Sequence, residues 1–163
     1  MSLIVFYYAV VAIITAYLLL TITKFREVPP SISETYYLWK SVGKDWIFTT
    51  MMWIIGFSIL VYWLSVAKNY NCQFLTFLSV SGMCFVGGAC MFKQTLTKEV
   101  HYTSAALWAI SATLFFIVNK MFEPIIVGGM FGFTGWMLNK RNNFTFWAEL
   151  ACVIMMIIGI WLL

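Results

Sequence analysis

The stretch WIFTTMMWIIGFSILVYWLSVA, residues Trp46–Ala67, contains no charged side chain and no histidine. A helix of roughly 20 apolar residues is long enough to cross the hydrocarbon layer of a bilayer, which is about 30 Å thick. The apolar residues of this stretch do not alternate with polar ones, as they would in a strand of a membrane β-barrel. The stretch therefore predicts a transmembrane helix, and it decides how the rest of the chain is interpreted.

Five further stretches have the same apolar character, and together the six occupy nearly the whole chain. They are Ser2–Ile22, Cys72–Phe92, Tyr102–Asn119, Pro124–Leu138 and Phe144–Leu163. Hydrophobic residues make up 63% of the 163 residues and charged residues only 10%, whereas soluble domains carry about 25% charged residues. We expect one all-α domain over residues 1–163, a bundle of six transmembrane helices.

Basic residues are unevenly distributed between the loops. The loops after the first, third and fifth predicted spans contain Lys24, Arg26, Lys40, Lys44, Lys93, Lys98, Lys140 and Arg141. The loops after the second and fourth contain only Lys68 and Lys120. The positive-inside rule places the first set in the cytoplasm. It predicts a protein of the cell membrane, inner or plasma, with both termini on the non-cytoplasmic side.

The net charge of +4 is explained by this loop bias. Lysines and arginines do not gather on one helix face, as they do in nucleic-acid-binding proteins, so we expect no nucleic acid as a partner. Membrane lipids are the expected partners instead.

One connection is long, residues 23–45. Two consecutive prolines prevent a helix from running through it, and Ser31 or Ser33 is predicted to cap a short helix that starts around Glu34. We expect the loop to fold back onto the membrane surface. Four residues are predicted to form a belt at the interface: Tyr36, Tyr37, Leu38 and Trp39.

Ionisable residues are rare in the predicted spans, so two of them stand out. His101, the only histidine, lies at the start of the fourth predicted span, and Glu149 lies five residues into the sixth. A carboxylate at the centre of a membrane helix costs about 2.5–3.5 kcal/mol on insertion scales, and less near the interface. We therefore expect Glu149 to face the bundle and to have a partner. The alternatives are a purely structural hydrogen bond for Glu149 and an interfacial position for His101.

The second, fourth and sixth predicted spans all begin on one face of the membrane. Six polar residues are expected to converge there as a ligand-binding pocket: Ser31, Ser33, Glu34, Asp45, His101 and Glu149. His101 and Glu149 are predicted to form its core as an interacting pair. Carboxylates, an imidazole and hydroxyls in a half-dry cleft can bind a polar headgroup or transfer a proton.

Other sites are not indicated. A single histidine cannot build a three-histidine zinc site, so we expect no metal and no cofactor. No G-x-S-x-G sequence marks a serine nucleophile, and no catalytic residue can be assigned. The four cysteines form no C-x-x-C pair and are interpreted as buried structural thiols: Cys72, Cys84, Cys90 and Cys152.

The fifth predicted span carries Gly128-x-x-x-Gly132, a spacing that lets two helix backbones approach closely. It predicts close packing against another helix of the same chain. A homodimer through Gly128 and Gly132 is the alternative.

Three short motifs coincide along the chain. They are Pro30-Ser31-Ile32-Ser33-Glu34-Thr35, then Phe92 with Val100-His101-Tyr102 and Ala105, and finally Trp147-Ala148-Glu149-Leu150. Together they resemble the Frag/DRAM/Sfk group of six-span membrane proteins. That group has a Pro-x-Ile-Ser-Asp-Thr-like loop, a Phe-Gln…His-x-x-Gly-Ala stretch and a glutamate in the last span. The chain differs from the group at four positions: it has Glu34 where the group has aspartate, Tyr36 where it has glycine, Lys93 where it has glutamine and Ser104 where it has glycine.

The resemblance implies a role linked to membrane lipids, such as remodelling of lipid-anchored groups, lipid organisation or membrane-stress signalling. It also implies a non-cytoplasmic first loop, whereas the charge bias predicts a cytoplasmic one. The leading functional hypothesis is recognition or remodelling of a lipid headgroup. The alternatives are a non-catalytic membrane scaffold or regulator and a small transporter or channel subunit.

Overall fold

The computed structural model describes residues 3–89, 94–140 and 142–163, and it describes their side chains except at 3, 6 and 94–98. Several residues used in the sequence argument lie outside these ranges: Ser2, Cys90, Phe92, Lys93 and Arg141. The regular elements of the described part are all helical, which confirms the all-α class. They are α1 (Leu3–Phe25), α2 (Thr35–Lys40), α3 (Trp46–Val66), α4 (Phe74–Gly88), α5 (Gln94–Val118), α6 (Glu123–Leu138) and α7 (Phe144–Leu162), with a 3-10 turn at Ala67–Asn69.

Four helical segments are long and apolar enough to cross a membrane: Tyr7–Phe25, Trp46–Asn69, Glu99–Val118 and Phe144–Leu162. They confirm the transmembrane character predicted from composition. The helices α4 and α6 have 15 and 16 residues. At about 1.5 Å per residue they reach roughly 22–24 Å, less than the thickness of the hydrocarbon layer.

Two predicted boundaries differ from the observed ones. The third predicted span starts at Cys72, but Cys72 has a φ of 57°, a left-handed conformation that a helix cannot contain, and α4 begins at Phe74. The fourth predicted span starts at Tyr102, whereas α5 begins at Gln94. Hydropathy marks the point where the chain becomes apolar, not the point where the helix starts. His101 therefore lies inside a helix and does not open one.

Neighbouring helices pack in sequence order. The helix α1 packs on α3, α3 on α4, α4 on α5 and α6 on α7, while α5 also touches α6 and α7. The α4–α5 contact is close because a Cβ on Gly82 would lie 2.6 Å from the backbone nitrogen of Trp108. Trp63 stacks on Phe116, with ring centroids 5.8 Å apart, and fills the core near the end opposite the first loop.

The aromatic belt predicted for the first loop is only partly correct. Tyr37 is exposed, but Tyr36 and Trp39 are buried in the bundle, and only 2% of the surface of Trp39 is exposed. The indole nitrogen of Trp39 donates to the Thr21 hydroxyl of α1 at 3.1 Å. Since the helix spacing of these residues turns two of the rings inward, α2 serves to dock the loop onto α1 and α3.

Candidate functional site

The first loop is attached to the start of α7. The side-chain amide of Asn143 donates to the Val28 carbonyl at 2.7 Å, and the Phe146 backbone N–H donates to the Pro30 carbonyl at 3.0 Å. Asn143 has a φ of 53°, a left-handed conformation that asparagine tolerates better than most residues. The segment before Ser31 is thereby fixed against α7.

A second set of contacts holds the loop on α1. The Tyr17 hydroxyl and the Thr35 hydroxyl are 2.5 Å apart, and both residues are buried. With the Trp39–Thr21 bond, this gives α1 two polar contacts to α2. Tyr17, Thr21 and Thr35 were not among the predicted site residues, although Tyr17 and Thr21, polar residues four positions apart in the first predicted span, were a usable signal.

The Glu149 carboxylate accepts hydrogen bonds from the part of the first loop that lies between its contacts with α7 and its contacts with α1. One carboxylate oxygen accepts the Ile32 N–H at 2.5 Å and the Ser33 N–H at 3.4 Å. The other oxygen accepts the Ser33 hydroxyl at 3.1 Å. Backbone donors thus replace the water that the carboxylate loses in the bundle. Among the described side chains, no lysine or arginine pairs with it.

Ser33 is the centre of the site. Its hydroxyl oxygen lies 3.1 Å from His101 Nε2 and 3.0 Å from the Ser31 hydroxyl. His101 and Glu149 make no direct hydrogen bond or ion pair with each other; the Ser33 hydroxyl bridges them. An imidazole on α5 and a carboxylate on α7 cannot meet here because the loop passes between them.

The protons of this network can be counted. Ser33 has one hydroxyl proton, which it donates to Glu149. Its two lone pairs are then filled by donors from Ser31 and from a protonated His101 Nε2. With Glu149 ionised, this count requires a proton on Nε2, which the Nε2–H tautomer of the neutral imidazole supplies. It leaves His101 Nδ1 as an acceptor that bonds to none of the described residues.

Ser31 and Glu34 complete the observed cluster. The Ser31 hydroxyl accepts the Glu34 backbone N–H at 2.9 Å, so Ser31 stabilises the turn that leads into α2. Glu34 is exposed at the rim of the site, and its carboxylate interacts electrostatically with both His101 and Glu149. It makes no side-chain hydrogen bond within the described part of the chain.

Asp45 is the one predicted site residue that the structure does not bring into the cluster. It immediately precedes α3 and is half-buried, and no hydrogen bond joins it to the other five residues, all of which are described. The preceding turn, with Gly43 at a φ of 70°, separates the start of α3 from the Ser31–Glu34 segment.

A cavity of about 170 Å³ lies directly below the site. Ser33 and Glu149 line its loop end, and its remaining wall is largely aliphatic and aromatic, including Met52, Met83 and Met156. Helices α1, α3, α4, α5 and α7 all contribute to the wall.

The glycine spacing on α6 serves contacts within the chain. A Cβ on Gly128 would lie 2.7 Å from the Ala151 carbonyl of α7, and one on Gly132 would lie 2.6 Å from the Ala151 Cβ. The alternative homodimer stays a prediction.

The cysteines differ from the prediction in one case. Cys72 is exposed, whereas Cys84 and Cys152 are half-buried, and all three are free thiols. Cys72 follows the 3-10 turn in the connection before α4, where the chain is close to the surface. Within the described residues, His, Cys, Asp and Glu side chains form no group of three that could hold a metal ion.

Comparisons of the chain with protein families, with curated proteins and with solved structures give no match.

Proposed function

We propose that the chain is an integral membrane protein that recognises a membrane lipid by an amine-bearing headgroup at the Ser33–His101–Glu149 site. The observation that carries the proposal is the chemistry of the groups left available. Glu34 offers a free carboxylate, Glu149 keeps a spare lone pair, and His101 Nδ1 is an unfilled acceptor. All of these accept hydrogen bonds, and two carry negative charge.

An ammonium group is the complement of such a set. It is cationic, and it has donors but no acceptor. A phosphate or carboxylate ligand has only acceptors and would be repelled by Glu34 and Glu149. Recognition is favoured over chemical remodelling because the Ser33 hydroxyl already donates to Glu149 and accepts from His101, so the imidazole is not placed as its base.

The topology is part of this proposal. Six spans, including the short helices α4 and α6, would place the site near one membrane interface, and the charge bias would make that interface cytoplasmic. An Asn142→Cys variant in a background without native thiols tests this orientation. An impermeant thiol reagent added outside intact cells should leave it unlabelled; labelling from outside would reverse the assignment.

A specific observation favours a second candidate, a non-catalytic scaffold or regulator. Within the part of the chain that the structure describes, every hydrogen bond that the Glu149 carboxylate accepts comes from the first loop, as expected if the residue only fastens that loop to α7. The two candidates differ in what Glu149→Gln should do. Glutamine keeps the size and an oxygen acceptor but removes the charge.

The deciding experiment measures the lipids retained by the protein from mixed nanodiscs. Phosphatidylethanolamine, phosphatidylcholine and phosphatidylglycerol with identical acyl chains are supplied in equal amounts. We expect at least a fivefold preference for phosphatidylethanolamine over phosphatidylglycerol, with phosphatidylcholine intermediate because it has the charge without N–H donors. Glu149→Gln and Glu34→Gln should each reduce the preference.

An Asp45→Asn variant is the matched control, since it removes a carboxylate near the same loop but outside the cluster. It should retain the wild-type preference. A folded wild-type protein that retains the three lipids equally would contradict headgroup recognition and support the scaffold.

A further inference from the structure

We infer that the cavity below the site holds the first part of one acyl chain of the recognised lipid, and that the remainder of this chain passes between α1 and α7 into the bilayer. The inference rests on the proposed function for the position of the headgroup. The cavity itself supplies the rest of the argument.

The cavity has the polarity of an amphiphile. Its only carboxylate, Glu149, and its only serine hydroxyl, Ser33, lie at the loop end. Along α7 its wall continues from Glu149 to Met156, seven residues that correspond to about 10 Å of helix. A ligand that fits this shape has a polar group at one end and a hydrocarbon chain at the other.

The volume indicates a chain segment and not a whole lipid. A cavity of about 150 Å³ lined by apolar side chains stays dry and accommodates benzene. The cavity here has about 170 Å³, so it accepts a few carbons at the headgroup end of one chain while the remainder stays in the bilayer. Four methionines in its wall, Met51, Met52, Met83 and Met156, can adapt to a flexible chain.

The seam between α1 and α7 provides the entrance. These two helices are not among the pairs that pack closely along their length. At one end the Tyr7 hydroxyl donates to the Ile157 carbonyl at 3.0 Å, and at the other end the first loop connects them. Between these ends, the cavity-lining residues Ile14, Leu18 and Cys152 are only half-buried. A chain can therefore pass sideways from the bilayer without disturbing the loop.

The experiment uses the protein in nanodiscs that contain phosphatidylethanolamine with a diazirine close to the ester end of one acyl chain. After illumination, labelled residues are mapped by mass spectrometry. Two cavity residues, Ile55 and Met156, are exposed by only 1% and 0% and cannot be reached from the surrounding bilayer. We expect label on both of them. Label confined to lipid-facing residues such as Ile54, which is 49% exposed, would overturn the inference.

A matched pair of variants tests the location of the chain. Ala105 lines the cavity, whereas its neighbour Ala106 is exposed on the same helix. Ala105→Leu should reduce labelling of Ile55 and Met156 at least threefold, and Ala106→Leu should leave it unchanged. If Ala105→Leu fails to fold, Ala109→Leu, one turn further along the cavity wall, replaces it. Equal labelling in the filled and control variants would also overturn the inference.

The outcome is separable from that of the proposed function. Label at Ile55 and Met156 without any headgroup preference would sustain the chain site and contradict the headgroup site. A headgroup preference without label at Ile55 and Met156 would sustain the headgroup site and contradict the chain site.

Discussion

The two faces of α7 contrast in how closely a neighbouring helix approaches them. Trp147, Ala151 and Met155 lie on one face, against glycines of α6 that allow the two backbones to approach closely. Glu149, Cys152 and Met156 lie on the other face and border the cavity of about 170 Å³. The first, the α6 face, thus has close backbone contact at Gly128 and Gly132, with a cavity of about 210 Å³ beside it toward Phe144, and the second, the cavity face, borders open space with a carboxylate at its rim.

The difference separates residues that serve stability from residues that serve binding. Side chains that fill an interface need no explanation beyond the contacts that they make. A face that borders open space forgoes packing contacts, and that penalty, together with a carboxylate at the rim, requires another explanation. A ligand that occupies the space would offset the penalty by mass action.

The largest expected change in the free energy of unfolding comes from the α6 face, at Gly128. A leucine at Gly128 would collide with the backbone and Cβ of α7, because even a Cβ at this position lies 2.7 Å from the Ala151 carbonyl and 2.8 Å from the Met155 Cβ. We expect Gly128→Leu to reduce the free energy of unfolding, measured by denaturing-detergent titration, by about 3 kcal/mol or more. Gly129→Leu is the control, since no atom lies within 4 Å of a Cβ there. Similar losses in both variants would contradict the assigned packing.

An intermediate change in the free energy of unfolding is expected at Glu149, at the rim of the cavity face. Glu149→Ala removes the acceptor for the Ile32 N–H, the Ser33 N–H and the Ser33 hydroxyl. Leaving such donors without partners should reduce the free energy of unfolding by about 2 kcal/mol. Glu149→Gln keeps one acceptor oxygen and should lose less than half of that. Equal losses in the alanine and glutamine variants, in the same titration, would mean that the hydrogen bonds do not hold the loop.

The smallest expected change in the free energy of unfolding has opposite signs at the cavity and on the α6 face of α7. Ala105→Leu adds apolar volume to the cavity and should raise the free energy of unfolding in detergent by about 1 kcal/mol. Ala151→Leu adds the same volume where Ala151 already meets Gly128 and Gly132, and it should lower that free energy by about 1–3 kcal/mol. Two variants with the same sign would show that the faces are packed alike.

Much of the fold and part of the site could be predicted from sequence. Apolar runs such as Trp46–Ala67 identify spanning helices because the bilayer imposes their length, and the rarity of charge in the spans identifies His101 and Glu149. The role of Ser33 as a bridge could not be derived. It depends on a loop conformation that is fixed by Asn143 and Tyr17, which are distant in sequence.

The sequence also could not predict where the helices start or that the rings of Tyr36 and Trp39 face the core. Hydropathy does not detect the first two turns of α5, which are polar but helical. Aromatic residues near an interface are equally compatible with facing lipid or the core, and only the attachment to α1 decided the position of Trp39. The cavity has no sequence signature, since its wall is made of ordinary core residues from five helices.

The central claim is that the Ser33–His101–Glu149 site holds a lipid amine, and solid-state NMR in bilayers tests it most directly. Phosphatidylethanolamine labelled with ¹⁵N in the headgroup is combined with protein labelled with ¹³C at glutamate carboxyl carbons. The account predicts dipolar transfer from the lipid nitrogen to the carboxyl carbons of Glu34 and Glu149, reduced in Glu149→Gln. A lipid nitrogen that shows only the averaged signal of bulk bilayer, with no transfer to either carboxyl, would contradict it.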